Sequence, residues 1–426
     1  MASISVTPSI QMQRVRAVAA ASIGNALEWF DFAVYGFFAV VMAKLFFPTG
    51  NDTISLLVTL ATFGVTFFMR PLGAIIIGNY ADRHGRKAAL TLTIGMMMAG
   101  TGVIAFAPTY ASIGLLAPTL IVAARLLQGF SAGGEFGSAT AFLAEQNPTR
   151  RGFYASWQFA SQGLTTILAT GFGATLAGLL TQEQLEAWGW RVPFFFGLLI
   201  GPVAYYIRTR LDETTEFRSI AAASTPLRET VATKRANLLV GFGLVVLTTV
   251  ATYTVLFMPT YAVRELGLPA SGSYLAALLT GALQFVLVPI VGTLTDRHGR
   301  FPIAFVSAVA LLLTIYPMFV WLAAAPTLAT LLAVQGIIGV LIAGYMGGIP
   351  ALLSELFPTR LRTTGLSISY SFGVAVFGGF APFINAWLIA ATGSNLAPSF
   401  YLMLAAAISA AALLASRRIL SEPVRK

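Results

Sequence analysis

Twelve apolar runs separated by short polar breaks constrain this chain more than any other feature. In the first half they lie at roughly 17–43, 54–79, 88–107, 112–142, 153–180 and 191–209. In the second half they lie at roughly 237–262, 272–295, 302–323, 327–353, 363–391 and 397–416. Each comes near or above the ~20 residues that a helix needs to cross a bilayer. Only 10% of the 426 residues are charged, against roughly 25% in a soluble domain. A soluble core of this length has no room for so much apolar surface, so the expectation is an all-α membrane protein of twelve transmembrane helices.

The runs fall into two sets of six. Asp82-Arg83-His84-Gly85-Arg86 recurs as Asp296-Arg297-His298-Gly299-Arg300, 214 positions on. Glu145, before Gln-Asn-Pro-Thr-Arg, matches Glu355, before Leu-Phe-Pro-Thr-Arg, at an offset of 210. Landmarks that keep one offset mean duplication. The chain therefore divides into six-helix halves at 1–209 and 237–426, with a charged cytoplasmic linker at 210–236. With both termini on one side, that side holds Arg14, Arg16, Arg83, Arg86, Lys87, Arg150, Arg151, Arg297, Arg300, Arg360, Arg362 and the C-terminal cations. The other side holds only Lys44, Arg191 and Arg264. By the positive-inside rule the termini and both hairpins are cytoplasmic. The net charge of +10 then reports loops and not nucleic-acid binding. No cleavable signal peptide is expected at the N-terminus. With no cysteine and both histidines in the hairpins, no catalytic or metal-ligating set is visible, which argues against a membrane enzyme.

Five ionisable residues remain at membrane depth: Glu28, Asp31, Arg70, Arg125 and Glu135. Each costs about 2.5–3.5 kcal/mol at a helix centre on insertion scales, so five need either partners or a use. Asn25, Glu28, Phe32 and Tyr35 share one face of span 1, with Asp31 beside it. Arg125, Gln128, Ala132 and Glu135 share one face of span 4, and Tyr154, Gln158, Ser161, Gln162 and Thr165 form a stripe on span 5. These faces are expected to line a water-filled cavity. Three acids against two bases become neutral when one acid is protonated, which suits proton coupling by Glu28, Asp31, Arg70 and Glu135. Arg70, directly before Pro71, equally suits a structural tie from span 2 to span 1. The glycines before Glu135 lack the Gly-Lys-Ser/Thr ending of a phosphate loop and suit close helix contact instead.

The hairpins read either as topogenic loops or as latches. Asp82 with Arg83 and Arg86, and Asp296 with Arg297, suit a gate that pairs with a facing helix terminus and with Glu145 or Glu355. The second half carries fewer buried charges; its polar features include Tyr253, Tyr345 and a run through Ser371. Gly and Pro in spans 10 and 11 permit bending.

Several of these stretches resemble one family. Gly-x-x-x-Asp-Arg-x-Gly-Arg-Lys at 78–87 is similar to the signature between spans 2 and 3 of the major facilitator superfamily, and Arg125-Leu-Leu-Gln-Gly129 to its span 4 motif. Gly24-Asn-Ala-Leu-Glu-Trp-Phe-Asp-Phe32, Met69-Arg-Pro-Leu-Gly73, Gln128-Gly-Phe-Ser-Ala-Gly-Gly-Glu135 and Trp188-Gly-Trp-Arg-Val-Pro-Phe194 resemble its metabolite–proton symporter branch. A narrower likeness, carried by Phe153-Tyr-Ala-Ser-Trp-Gln-Phe-Ala-Ser-Gln162, Ile113–Pro118 and Phe377–Pro382, is to the citrate–proton and tricarballylate symporters. The short tail after span 12 differs from the long coiled coil of the osmosensing betaine member.

The resemblance implies an alternating-access symporter of the bacterial inner membrane, acting as a monomer on a small carboxylate. It would use protons as the coupling ion and no cofactor. Citrate or a related tricarboxylate is the first expectation, 2-oxoglutarate the next, and shikimate or betaine further alternatives. It also implies that Glu28, Asp31, Arg70 and Arg125 serve coupling. Substrate recognition is expected at Asn25, Arg125, Gln158, Ser161, Gln162, Tyr345 and Ser371.

Overall fold

The computed structural model describes residues 8–84, 86–133, 135–209 and 226–421. Among these residues it is helical throughout, with no strand. In the first half, span 1 is Pro8–Phe37 continued by Ala39–Phe46, span 2 is Asp52–His84 and span 3 is Arg86–Phe106. Span 4 is Leu116–Ser131 continued by Glu135–Glu145, span 5 is Arg151–Leu179 and span 6 is Val192–Thr209. In the second half, span 7 is Arg235–Arg264, span 8 is Ala270–His298 and span 9 is Arg300–Ala324. Span 10 is Leu328–Met346 with Ile349–Glu355, span 11 runs from Thr359 to Thr392, and span 12 is Ala397–Ser421.

Eight of these helices are long and apolar enough by themselves to cross a bilayer, and span 1 makes nine when its two pieces count as one. Spans 3, 5 and 6 complete the set of twelve. They are helices of 21, 29 and 18 residues, and span 5 carries its polar stripe inward. Of the stretch 210–236 expected as the linker, residues 226–236 are described, and they form a short helix, Pro226–Thr233, and the start of span 7, which begins at Arg235.

Three departures from straight helices stand out. Span 1 bends by 65° between its pieces at Phe38. Span 4 leaves the helix at Ala132 and Gly133, where spans 2 and 4 cross so closely that a Cβ on Gly133 would sit 2.4 Å from the Arg70 carbonyl oxygen. In span 11, Val374–Gly378 forms a π turn closed by the Gly379 N–H on the Val374 oxygen, 2.7 Å. Such turns are frequent at functional sites, and this one packs against Thr249 and Tyr253 of span 7.

The halves meet along spans 5 and 8. A Cβ on Gly163 would fall 2.7 Å from the Gly281 oxygen, and one on Gly152 would fall 2.5 Å from the Gly292 oxygen. Small residues here let two backbones approach, which is how helices pack where no hydrophobic driving force separates them from lipid. Away from the hairpins, the Tyr274 hydroxyl donates to the Phe37 oxygen at 2.9 Å, and Arg264 reaches the Asp52 oxygen and Thr53 hydroxyl at 3.3 Å each. The halves therefore touch at both ends.

Candidate functional site

Between the halves lies a narrow central cavity of about 30 Å³, lined by Trp29, Phe32, Gln162, Thr249, Tyr253 and Tyr370, among others. It has room for one or two water molecules. Two buried arginines stand behind its aromatic wall. The Arg70 guanidinium stacks on Trp29, 4.6 Å from the ring centre, and faces Tyr370 at 6.0 Å. One of its nitrogens donates to the Ala132 oxygen at 3.0 Å, while Nε and Nη1 are buried without a hydrogen-bond partner among the described residues. Arg125 lies 4.5 Å from the Tyr35 ring, 5.0 Å from Phe32 and 5.5 Å from Phe63. Its Nε and Nη2 are likewise unpartnered. Cation–π contact offsets part of the cost of burying a guanidinium. The unused donors leave the rest for a ligand with acceptor oxygens to meet.

A second cavity, of about 40 Å³, lies wholly inside the first half, between spans 1, 3, 4 and 6. Gly24, Leu27, Glu28 and Asp31 of span 1, Thr93 and Met97 of span 3, Ser131 and Glu135 of span 4, and Gly197 and Gly201 of span 6 line it. Span 1 is the wall between the two spaces. This corrects the expectation that Glu28, Phe32 and Tyr35 face one space: Phe32 lines the central cavity and Glu28 the inner one. All three membrane-depth acids gather on this inner side.

Asp31 and Arg125 are joined through two intermediates. Arg125 Nη1 donates to Gln128 Oε1 at 2.9 Å, Gln128 Nε2 donates to the Thr101 hydroxyl oxygen at 3.0 Å, and the Thr101 hydroxyl donates to Asp31 Oδ2. Among the described residues Asp31 Oδ1 has no hydrogen-bond partner, and it is buried. Thr101 and the cavity-lining Trp29, Tyr253 and Tyr370 are absent from the residues expected from sequence as the site.

The span 5 stripe divides. Gln162 and Thr165 line the central cavity. Gln158 and Ser161 instead hold Asn25, which donates to the Ser161 hydroxyl at 2.7 Å and accepts from Gln158 Nε2 at 3.1 Å. These three residues tie span 1 to span 5 and do not line the cavity. Tyr345 is also outside the lining, and its hydroxyl donates to the Leu244 oxygen at 2.9 Å inside the second half. Ser371 is buried one position past the cavity-lining Tyr370, outside the lining. A helix turns each successive residue by ~100°, so neighbours in sequence face different spaces.

At the hairpin end, Asp296 accepts from the Gly152 and Phe153 N–H groups at 2.7 and 2.9 Å. A carboxylate of the second half thus caps the first turn of span 5, where the helix dipole favours negative charge. Glu355 pairs with Arg300 at 2.9 Å and with Arg151 at 3.9 Å. Glu145 pairs with Arg362 of span 11 at 2.8 Å, and both side chains are nearly excluded from solvent. Arg297 is exposed, and Arg300, one helical turn on, makes the contacts expected of it. The side chains of Asp82, Arg83 and Arg86 lie outside the described residues.

Residues 21–320 match the model of the Major Facilitator Superfamily. The chain is 39% identical to a citrate–proton symporter of Klebsiella pneumoniae, over 92% of this chain and 89% of that one. It is 35% identical to the alpha-ketoglutarate permease of Escherichia coli K12, over 95% and 94%. Among solved structures, a D-xylose–proton symporter superposes with a TM-score of 0.73 at 17% identity, covering 96% of this chain and 98% of the other.

Proposed function

The chain belongs to the Major Facilitator Superfamily, and within it we propose a proton-coupled symporter that imports citrate or a related tricarboxylate by alternating access. The observation that carries this reading is the pair of buried arginines behind the central cavity, with four donor nitrogens left unpartnered. A multivalent carboxylate supplies acceptors for them. The likeness to citrate–proton symporters supports the same substrate class.

Coupling follows from charge. With Asp31 ionised, the donor chain from Arg125 ends on a carboxylate and the pair is internally compensated. A proton on Asp31 leaves Arg125 positive and in need of an anion. Substrate then takes the place of the lost charge, so proton and carboxylate each favour the binding of the other. Protons also relieve the electrical cost of entry, about 2.3 kcal/mol per negative charge per 100 mV for an anion moving into an inside-negative cell. The cavity in this conformation is several times too small for a tricarboxylate, so binding requires the halves to separate at one end.

The hairpin end is taken as cytoplasmic, with residues 210–236 as the linker. Asp296, Glu355 and the Glu145–Arg362 pair form the inner gate, which must open to release cargo. A dicarboxylate such as 2-oxoglutarate is the second reading, favoured by the 35% identity to the permease. Counterflow in proteoliposomes loaded with unlabelled citrate, tricarballylate, 2-oxoglutarate or betaine discriminates them. Labelled citrate should enter fastest against the two tricarboxylates. Exchange only against 2-oxoglutarate or betaine would replace the proposed substrate.

A further inference from the structure

We propose that Thr101 is the residue through which the protonation state of Asp31 is read and passed to the substrate arginine. The inference rests on the symport reading above and adds a positioning residue that touches neither cargo nor Arg125. Two observations carry it. The first is that span 1 separates an acid-lined inner cavity from the central one, so a proton bound on the inner side must act on the substrate side indirectly. The second is that the hydrogen-bond path across this separation has one branch point.

That branch point is a single hydroxyl hydrogen with two acceptors in reach. The Thr101 oxygen is within hydrogen-bonding range of Asp31 Oδ2 and lies 3.0 Å from the Met97 backbone oxygen. It also accepts the Gln128 amide. An ionised Asp31 draws the hydroxyl to itself, because a bond to a charged acceptor outweighs one to a neutral carbonyl. All donors then run one way: Arg125 to Gln128, Gln128 to Thr101, Thr101 to Asp31. When Asp31 takes a proton from water in the inner cavity, its own O–H becomes a donor to the Thr101 oxygen. The threonine hydrogen swings to the Met97 carbonyl, a rotation about one bond. The threonine oxygen now accepts twice and no longer donates toward the carboxyl, so the Gln128 and Arg125 positions lose the pull of the anion. No bond to carbon changes, and the one proton gained sits on Asp31.

The other charged and titratable groups near Asp31 are Glu28 and Tyr35 on span 1, Glu135 on span 4 and Arg125 itself. Among the described residues, span 3 presents the uncharged Thr93, Ile94, Met97, Met98 and Thr101, and span 6 presents glycines at 197 and 201. The nearest span 6 contact is tight, since a Cβ on Gly197 would fall 2.2 Å from Asp31 Oδ1. The carboxyl is thus held against span 6 on one side and has Thr101 as its hydrogen-bond partner on the other.

The test compares Thr101→Val, which keeps the shape and removes the hydroxyl, with Thr101→Ser, which keeps the hydroxyl. Both are measured in proteoliposomes for labelled citrate counterflow and for accumulation driven by a pH gradient. In Thr101→Val the ratio of accumulation to counterflow should fall at least tenfold, and the pH profile of uptake should shift. Thr101→Ser should restore both to within about twofold of the parent. A Thr101→Val protein that accumulates citrate like the parent would overturn the inference. So would an equal loss of accumulation and counterflow, or a serine variant as impaired as valine. Failure of the parent itself to exchange citrate would strike the substrate reading and not this one. Should the valine variant not fold, Gln128→Leu tests the next link in the chain, with the same tenfold fall in the ratio expected and parental coupling as the refuting result.

Discussion

Neutralising Glu145 should open the hairpin end of the transporter. In Glu145→Gln the shape is kept, but Arg362 loses its charged partner at 2.8 Å, in a contact whose side chains are only 6–7% exposed. Breaking a buried ion pair by removing one partner costs about 3–5 kcal/mol. Once the halves part, the same groups reach water, where an exposed pair is worth about 0–1 kcal/mol. The difference, about 2–5 kcal/mol, falls on the closed state alone and shifts the equilibrium roughly 30- to 5,000-fold toward opening. The absence of cysteine makes the assay clean. Thr252→Cys, on the wall of the central cavity, is the only thiol, and a membrane-impermeant maleimide is applied from the hairpin side. Adding Glu145→Gln should accelerate labelling at least tenfold over the Thr252→Cys parent. An unchanged labelling rate would mean that this pair does not hold the gate.

Asp31→Asn removes the titrating carboxyl, so uptake driven by a pH gradient should fall at least tenfold; full gradient-driven uptake would clear Asp31 of the coupling role. Arg125→Lys keeps the charge but loses the planar fork that pairs with a carboxylate, and the Kd for citrate should rise tenfold or more by isothermal calorimetry. An unchanged Kd would place the substrate elsewhere. Gly163→Leu sets a side chain against the span 8 backbone, 2.6 Å from the Phe285 nitrogen. Overpacking of this kind costs about 1–3 kcal/mol, so the Tm in detergent should drop by several degrees, and a parental Tm would contradict the close crossing.

The fold was legible because the bilayer simplifies the code. A backbone in hydrocarbon must satisfy its own hydrogen bonds, so long apolar runs and a repeated polar hairpin leave few architectures. The burial of Arg125 and Asp31 between helices was legible for the same reason, since a charge in hydrocarbon is too costly to face lipid. Thr101 was not. A threonine in an apolar helix costs little, and its partner lies 70 residues away in the chain. Arg362 looked like any cation of a positive loop, and only the packing of span 11 against span 4 shows that it meets Glu145. The division of span 1 between two cavities depends on where neighbouring helices stand, which helical periodicity cannot supply. At Tyr345, a mid-helix tyrosine among glycines suggests a ligand in the sequence, and the structure adds a partner no spacing shows, the Leu244 carbonyl.

The central claim is that a proton gradient, acting through the buried charges of the first half, drives uphill movement of a carboxylate through the space between the halves. Purified protein in sealed proteoliposomes, given an acidic exterior and labelled citrate at equal concentration on both sides, tests it directly. The account predicts accumulation inside above the starting concentration, abolished by a protonophore. Citrate that crosses without rising above that level, or that accumulates equally with the gradient collapsed, would contradict it.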